Sequence, residues 1–528
     1  MAMYGGVMDP RVREYVSVQR VICSQGVEQP ELLVGNQATQ CCIWNTPALP
    51  ISTAGSYLVL DFGRELHGGV KIISQGREIV RIRLRFGESV SEVMAEPNQD
   101  HSIHDTELIL PKMGAQEYGN TAFRFVRVDL LEGTLLLQNI QAVALYHDLE
   151  YVGQFECSDE RLNQVWQTAA YTVHLSMQDY IYDGVKRDRL VWMGDLNPEV
   201  RAILTLFSDL SLIPKSLDYV RDHTPLPQFM HGFSSYSLWW IQNQYDYFLH
   251  SGDLAYLKQQ REYLLGLLKV FAGCVAEDGS EKLTGARFLD WPSHGDPAAI
   301  HAGLQALMLM AMCSAEKLLQ ALDEDSTALR EIIARLRRHV PDCGQNKPAA
   351  ALQMLSGLAD RSAVMEENPC AGNSTFMGFY TLSAQKNATA LQVLRTYWGA
   401  MLDHGATTFW EDFDLDWVEN ASRIDELPQP GKADLHADFG KHCYKGLRHS
   451  LCHGWASGPA AWLMHRVLGL SVLEPGCRRV AFAPDLVDLD YAKGRFPTPL
   501  GPIEVTLERD RPSVIHAPAG VAIADVDA

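Results

Sequence analysis

The hydrophobic pattern of the chain changes its period at one stretch, Phe155-Glu156-Cys157-Ser158-Asp159-Glu160-Arg161-Leu162. Before it, apolar residues recur at every second position, which is typical of β-strands. After it, they recur at helical spacing as far as residue 470, and Ser158 stands where a hydroxyl can cap the first helix. This change of period predicts a β-domain followed by a helical domain.

The residues before this stretch alternate most strictly in Val80-Arg81-Ile82-Arg83-Leu84-Arg85-Phe86. Apolar residues on one face and polar residues on the other are typical of an antiparallel sandwich. Several glycines between the alternating segments can supply turns. Residues 1–150 are therefore predicted to form an N-terminal β-sandwich, with Cys41-Cys42-Ile43-Trp44 as a further candidate strand.

Helical patterns dominate residues 151–472, separated by loops rich in glycine, proline, histidine, tryptophan and aspartate. About ten or more helices joined by such loops favour a closed ring of helix pairs, an (α/α)6 barrel, although a seven-pair ring has the same composition. The clearest predicted helices are Tyr256–Val275, Gly303–Leu322, Ala328–Val340, Thr375–Ala384 and Ala390–Asp403.

A period of two returns near the end of the chain, where Ile503, Val505 and Leu507 alternate with polar residues. Prolines divide this region into short strands. Residues 473–528 are therefore predicted to form a small C-terminal β-domain. The whole chain is predicted to be a multidomain α and β protein, with the barrel between two β-domains.

The composition narrows the class of protein. The chain has 528 residues, 47% of them apolar and 21% charged, as in an ordinary globular protein. A formal charge of −20 argues against nucleic acid or an anionic membrane as the main partner. Eleven scattered cysteines suit a reducing compartment, and we expect a cytoplasmic location with no signal peptide and no membrane-spanning run.

The densest charged run is Asp183-Gly184-Val185-Lys186-Arg187-Asp188-Arg189-Leu190-Val191-Trp192-Met193-Gly194-Asp195. Glycine allows a close backbone approach, and tryptophan offers a ring face on which a sugar can stack. Carboxylates beside cations and an aromatic ring are what acid–base chemistry on a sugar requires. The alternative is a charged loop that caps a helix, with Asp195 as the N-cap and the cations paired with local aspartates.

This run resembles the signature of the α-L-rhamnosidases of glycoside hydrolase family 78, Asp-x4-Glu-Arg-x2-Trp-x-Gly-Asp. The matching residues are Asp183, Arg187, Arg189, Trp192, Gly194 and Asp195, and Asp188 stands where the family has its general-acid glutamate. Asp61-Phe62-Gly63-Arg64-Glu65-Leu66-His67-Gly68-Gly69 and Leu84-Arg85-Phe86-Gly87-Glu88 resemble two segments of the family's β-domain. The resemblance implies a β-sandwich, an (α/α)6 barrel and a C-terminal β-domain, as in the family's short subgroup.

The resemblance also implies the rest of the site. Thr407-Thr408-Phe409-Trp410-Glu411 resembles the family's segment with the general base, which places Glu411 in that role. Ser450-Leu451-Cys452-His453 resembles a run whose histidine faces the active site, and Asp290-Trp291 resembles a sugar-contacting loop. The implied substrate-binding residues are Asp183, Arg187, Trp192, Asp195, Asp290, Trp291, Trp410 and His453.

The mechanism implied is inverting. A protonated carboxyl faces the leaving oxygen, while a carboxylate roughly 6.5–9.5 Å away activates a water. Asp188 is the candidate acid and Glu411 the candidate base. Glu199 is a rival acid, because a helix that starts near Asp195 carries it on the same face.

We therefore expect an exo-acting glycosidase that removes terminal α-L-rhamnose from a small carbohydrate, as a monomer or homodimer, with no cofactor and no resident metal. His449 and His453, four residues apart on a predicted helix, lack the third ligand and the glutamate of a zinc site. The aglycone is not predictable. The alternatives are another sugar, a rhamnosyl-uronate lyase, or a carbohydrate-binding protein without activity.

Overall fold

The computed structural model describes residues 8–40, 48–96, 104–442 and 444–525. Eight strands of the N-terminal region form one hydrogen-bonded sheet, and the candidate strand Cys41–Trp44 lies outside the described residues. The sheet order is β1-β8-β4-β7-β5-β6, with β2 beside β4 and β3 beside β8. The strands are β1 (Val12–Ser17), β2 (Arg20–Gln25), β3 (Leu49–Ile51), β4 (Tyr57–Gln75), β5 (Val80–Gly87), β6 (His104–Leu110), β7 (Met113–Glu132) and β8 (Leu135–Tyr146).

The apolar face of β5 is confirmed, because Val80, Ile82, Leu84 and Phe86 are buried. On its other face only Arg81 is exposed, while Arg83 is half-buried and Arg85 is buried beside Asp129. The long strand β4 changes register at two irregularities along β7, which lets it bend and pair with β2 at one end and β8 at the other. A short helix, α1 (Val90–Met94), follows β5.

Helices fill the region from residue 160 to 466. Six of the described helices, α3, α5, α7, α9, α11 and α14, contact one another in that order, and α14 returns to contact α3. The intervening helices pack against members of this ring. The helices are α2 (Glu160–Ser176), α3 (Leu196–Leu206), α4 (Leu212–Asp222), α5 (Ser234–Ser251), α6 (Leu254–Ala272), α7 (Pro297–Ala321), α8 (Thr327–Leu336), α9 (Lys347–Leu355), α10 (Ser362–Glu366), α11 (Gly378–Ala384), α12 (Asn387–Val393), α13 (Gly399–Asp403) and α14 (Gly458–Arg466).

All five helices predicted from the sequence overlap described helices, and their ends differ by up to six residues, as at the start of α7, which lies at Pro297 rather than Gly303. The predicted start at Thr375 comes too early, because Ser374 caps the turn that leads into α11 at Gly378. The predicted helix over Ala390–Asp403 is interrupted by one π-helical turn, Leu394–Trp398, between α12 and α13. Helix α2, the first helix after the β-domain, is capped by Asp159 rather than by Ser158 as predicted.

One described helix, α7, is long and apolar enough to cross a membrane. The expectation that the chain has no membrane-spanning run stays a prediction. In the structure, α7 lies in the ring between α5 and α9, and most of its residues are buried by protein. Its apolar character is that of a core helix.

The C-terminal region consists of two small sheets. One contains β12 (Leu470–Glu474), β13 (Arg479–Phe482) and β17 (Ala522–Asp525). The other contains β14 (Tyr491–Phe496), β15 (Ile503–Glu508) and β16 (Val514–His516), together with β9 (Gln154–Cys157). The stretch that leads into the first helix is thus a strand of the C-terminal sheet. The predicted mixed α and β fold is confirmed.

The ring places three loops at one end. They run into the N-termini of the ring helices α3, α7 and α14, and they span residues 177–195, 273–296 and 404–457. Because consecutive ring helices are separated by a returning helix, their N-termini face the same way. All the sequence-predicted site residues belong to these three loops except the rival acid Glu199, which lies in α3.

Candidate active site

Three buried carboxylates surround one imidazole at this end of the ring. Nε2 of His453 lies 3.5 Å from Oε1 of Glu411, 3.8 Å from Oδ2 of Asp183 and 3.9 Å from Oδ2 of Asp195. These side chains are almost fully shielded from solvent. The structure therefore brings together four residues that the sequence separates by up to 270 positions.

Asp183 organises the loop that follows it. Its Oδ1 accepts a hydrogen bond from the backbone N–H of Leu190 at 2.9 Å, and its Oδ2 accepts one from that of Asp188 at 3.2 Å. Arg189 takes a left-handed backbone conformation, with φ 63°, as the chain turns back between them. Burial raises the pKa of Asp183 to about 7, and Asp188 adds to this rise.

Glu411 is held between a backbone amide and a cation. Its Oε2 accepts hydrogen bonds from the backbone N–H of Ser450 at 3.0 Å and from Arg187 at 2.7 Å. Burial raises the pKa of Glu411 to about 8, while Arg187 and the Ser450 amide oppose this rise. A carboxylate that titrates in this range can give up or take a proton near neutral pH.

Arg187 joins the two candidate catalytic residues. One guanidinium nitrogen lies 2.7 Å from Glu411, and the other lies 3.4 Å from Oδ1 of Asp188. Nε of Arg187 donates to the carbonyl of Arg448, and the guanidinium lies 4.5 Å from the ring centre of Tyr444. The side chain of Asp188 is 34% exposed, so it stands at the mouth of the site while Glu411 lies inside.

Asp195 and Glu199 form the acidic floor. Oδ1 of Asp195 accepts a hydrogen bond of 3.0 Å from the Tyr236 hydroxyl. Glu199 lies one helical turn further along α3, and its Oε1 has no hydrogen-bond partner among the described residues. Burial raises the pKa of both carboxyls well above the ordinary range, with Asp183 contributing to each. A Cβ at position 454 would overlap Oε1 of Glu199, so a larger residue there would force the Glu199 side chain to move.

His453 is held as a neutral ring. Burial lowers its pKa well below the ordinary value, and Arg187 adds to this effect. Its ring packs 4.1 Å, centre to centre, from that of Trp455, whose indole N–H donates to the carbonyl of Glu411. Nδ1 of His453 has no partner in the described part of the chain. A neutral imidazole in this position can exchange hydrogen bonds with a sugar hydroxyl.

Aromatic rings flank this centre. Trp192 is partly buried beside His231, at 4.6 Å between ring centres, and also contacts Phe233 and Tyr236. Trp291 stacks on His442 at 5.2 Å. Trp291 also meets Tyr444 edge-on at 5.6 Å, and so joins the wall that carries Arg187. Two of the three predicted substrate-binding tryptophans, Trp192 and Trp291, thus border the site through Tyr236 and Tyr444.

Two other predicted substrate-binding residues are less accessible. Asp290 is buried, and its two oxygens accept hydrogen bonds from Ser293 and Ser374. Burial raises its pKa to about 6. Trp410 is fully buried beside Phe413, and its indole N–H has no partner among the residues that the structure describes. Trp410 is therefore part of the core that supports Glu411.

The cations next to Arg187 do not pair with local aspartates, as the alternative reading of the charged run expected. Nζ of Lys186 lies 2.9 Å from Oε1 of Glu92 and 3.5 Å from Oε2 of Glu88, and both acids belong to the N-terminal β-domain. Arg189 donates to the backbone carbonyl of Asn120 in the same domain. Two of the three cations therefore fasten the loop to the β-domain.

A metal site built on His449 and His453 is not supported. The two residues do not share a helix, because extended backbone separates the helical turns at 446–448 and 454–457. His449 instead accepts a hydrogen bond of 2.8 Å from the backbone N–H of Asp412. Asp183, Asp195 and His453 do offer ligand atoms within 4.8 Å of one another, a set that can also bind sugar hydroxyls.

Sequence reasoning missed three contributors to the site. The Tyr236 hydroxyl, the Ser450 amide and the Tyr444 ring each contact a catalytic or substrate-binding candidate. Ser450 lies in the run that the sequence singled out for His453, whereas no signal in the sequence pointed to Tyr236 or Tyr444.

Residues 150–329 match the family described as the bacterial alpha-L-rhamnosidase 6 hairpin glycosidase domain. No curated protein matches the chain in sequence. The family match covers the charged run at 183–195 and the Asp290 loop, and it ends before Glu411.

Solved structures of rhamnosidases share the fold of nearly the whole chain. The family 78 rhamnosidase of Bacillus sp. GL1 has a TM-score of 0.72 at 21% identity, over 90% of this chain and 54% of that one. The Klebsiella oxytoca rhamnosidase with rhamnose bound has a TM-score of 0.66 at 19% identity, over 86% and 96%. The Streptomyces avermitilis α-L-rhamnosidase complexed with L-rhamnose has a TM-score of 0.71 at 16% identity, over 96% and 50%.

This chain thus spans about half the length of the Bacillus and Streptomyces proteins and nearly all of the Klebsiella one. The predicted resemblance to the α-L-rhamnosidases of glycoside hydrolase family 78 is confirmed. The reading of Asp188 as a replacement for the acid glutamate stays a prediction.

Proposed function

We propose that this protein is a glycosidase that removes terminal α-L-rhamnose from oligosaccharides or glycosides. The family match over 150–329 and the shared fold support the class of enzyme. The closed contact cycle of six helices supports an (α/α)6 barrel as its scaffold. The burial of Asp183, Asp195 and His453 supports an exo-acting enzyme, because a deep acidic floor suits a single terminal sugar.

The observation that carries the mechanism is the position of Arg187 between Asp188 and Glu411. An inverting glycosidase needs one carboxyl at the leaving oxygen and another at the attacking water. Asp188, at the mouth, faces the side from which the leaving group departs. Glu411, inside, faces the floor on which the sugar rests.

Two separate proton transfers accompany the cleavage of the glycosidic bond. Glu411 takes a proton from water as that water attacks the anomeric carbon, and Asp188 gives its proton to the glycosidic oxygen as the bond to carbon breaks. Arg187 stabilises Glu411 as a carboxylate before the attack. Asp183, Asp195 and His453 supply hydrogen bonds that hold the sugar hydroxyls.

Glu199 remains the rival acid. Its raised pKa favours the protonated form that an acid must have, and its unpartnered Oε1 is free to donate. Its position beneath Gly454, however, places it on the floor with Asp195 and away from the exposed mouth. We therefore propose Asp188 as the acid and Glu199 as a protonated part of the floor.

The deciding experiment follows the anomeric proton of released rhamnose by NMR, with an aryl α-L-rhamnoside as substrate. We expect β-rhamnose as the first product and its loss in Glu411→Gln. Release of α-rhamnose first would overturn inversion. No release from any rhamnoside would overturn the function, and an unsaturated product absorbing in the ultraviolet would indicate a lyase.

The predicted cytoplasmic location and the homodimer remain proposals that separate measurements must address. Size-exclusion chromatography with light scattering gives the oligomeric state directly. The aglycone needs a panel of natural rhamnosides.

A further inference from the structure

Two glutamates of the N-terminal β-domain reach into the helical domain and meet a buried lysine. Glu88 ends the Leu84–Glu88 segment and Glu92 lies in α1, and both side chains are 1% exposed or less. Nζ of Lys186 lies 2.9 Å from Glu92 and 3.5 Å from Glu88, and it donates to the carbonyls of Leu447 and His449. Charged groups that are shielded from solvent are costly to bury, and this cost is offset only while their ion pairs and hydrogen bonds are intact.

Glu88 also binds the loop at 404–457 directly. Oε2 of Glu88 accepts a hydrogen bond of 2.6 Å from the backbone N–H of Leu451, and Oε1 accepts one of 3.2 Å from the Ser450 hydroxyl. Glu92 in turn accepts from the backbone N–H of Glu88 at 2.8 Å. Glu88 therefore fixes the backbone of Ser450.

This matters because both contacts of Glu411 adjoin the cluster. The Ser450 amide that donates to Glu411 is one residue from the Leu451 amide held by Glu88. Arg187, which donates to the same oxygen of Glu411, directly follows Lys186. A shift of Glu88 would thus move both partners of Glu411 together.

We infer that Glu88 and Glu92 are positioning residues for the general base, which makes the β-domain part of the catalytic apparatus. They act through Lys186 on Arg187 and through Leu451 on Ser450, and they touch no substrate. This inference depends on the proposed function, since it concerns the residue proposed as base.

The charged neighbours of both groups are known. Glu411 faces Arg187, His453, Asp183 and Asp188. Glu88 and Glu92 face Lys186 and the buried carboxyl of Glu65, whose pKa both glutamates raise. His436 lies beside them, where it is hydrogen-bonded to the Ser89 hydroxyl and the carbonyl of His449. Arg187 and the Ser450 amide lower the pKa of Glu411. If these two groups move away from the carboxyl, the pKa of Glu411 must therefore rise.

The test compares Glu88→Gln with wild type on an aryl α-L-rhamnoside across pH. We expect kcat to fall about ten- to a hundredfold with little change in KM, because misplaced catalytic groups cost rate more than binding. The acidic limb of the kcat profile should move to higher pH. Glu88→Asp, which keeps the charge, should recover part of both changes.

A matched control is Asp61→Asn. Asp61 is buried in the same domain and pairs at 2.9 Å with Arg124, which also donates to the carbonyl of Gly405 in the helical domain. This variant should lose thermal stability and keep the wild-type pH profile. If Glu88→Gln behaves like Asp61→Asn, with lower stability only, the positioning role is overturned.

Ser450→Ala guards against a Glu88 variant that does not fold. It removes one hydroxyl contact to Glu88, keeps the backbone amide, and should move the acidic limb in the same direction by a smaller amount. An unmoved limb in Ser450→Ala would also count against the inference. An inactive wild type would instead overturn the proposed function, so the two failures are distinguishable.

Discussion

The guanidinium of Arg187 donates a hydrogen bond of 2.7 Å to Oε2 of Glu411, whose side chain is 1% exposed. Burial and the neighbouring cation have opposite effects on the pKa of Glu411. Burial favours the protonated acid, whereas the guanidinium favours the carboxylate that can accept a proton from water. The pair therefore sets the pH at which the base becomes available.

The first prediction concerns this pH. Because Glu411 works only when deprotonated and burial raises its pKa to about 8, kcat/KM should rise with pH toward that value. Arg187→Met should move this limb to higher pH and lower the rate by about 10². A pH–rate profile measures both effects. Arg423→Met, which breaks a half-exposed pair with Asp425, should leave the limb in place.

The second prediction concerns stability. The pKa of Glu411 is about 8 in the folded protein against an ordinary value of 4.5, so deprotonation of this carboxyl destabilises the fold increasingly as the pH rises from 4.5 towards 8. Glu411→Gln should therefore raise the free energy of unfolding near pH 8 by at least about 1 kcal/mol. The gain should vanish near pH 4, where the unfolded chain is also protonated. Denaturant unfolding at about pH 4 and pH 8 measures this difference in stability. The same variant should lower kcat by about 10³, because it removes the proposed base.

The third prediction separates the two candidate acids. On a natural disaccharide, whose leaving oxygen needs a proton, Asp188→Asn should lower kcat by about 10²–10⁴. On an aryl rhamnoside with an acidic leaving group, it should lower kcat by less than about tenfold. Glu199→Gln keeps a hydrogen-bonding side chain on the floor and should show no such dependence on the leaving group. The opposite pattern would make Glu199 the acid.

The fourth prediction concerns the contact between Glu199 and Gly454. Gly454→Ala places a Cβ on Oε1 of Glu199, and overpacking of this kind costs about 1–3 kcal/mol. Shortening the acid in Gly454→Ala/Glu199→Ala should remove most of that cost. A double-mutant cycle by thermal unfolding measures the coupling. Additive effects would show that the two positions do not compete for the same space.

The sequence predicts the fold where one residue type repeats with a clear period. The spacing of Val80, Ile82, Leu84 and Phe86 is local information, and it predicts the burial of these four side chains correctly. The membership of Gln154–Cys157 in a sheet with residues 491–508 is not local, because its partner strand lies more than 330 residues away. A hydrophobic pattern contains nothing about that partner.

The site shows the same division. The resemblance singles out Asp183, Asp195, Glu411 and His453, and the structure brings these four together. It does not indicate that Lys186 pairs with Glu88 and Glu92. A lysine in the sequence predicts an acidic partner, but it does not predict where in the chain that partner lies. Trp410, which adjoins the candidate base in sequence, is buried beside Phe413, and its role in substrate binding stays a prediction.

The position of β9 has a consequence for synthesis on the ribosome. This strand emerges before every helix of the ring, yet its hydrogen-bonding partner β14 lies after the last one. The ring itself closes only when α14 meets α3. The nascent chain must therefore carry an unpaired strand edge and an open stack of helix hairpins until α14 and then β14 have been made.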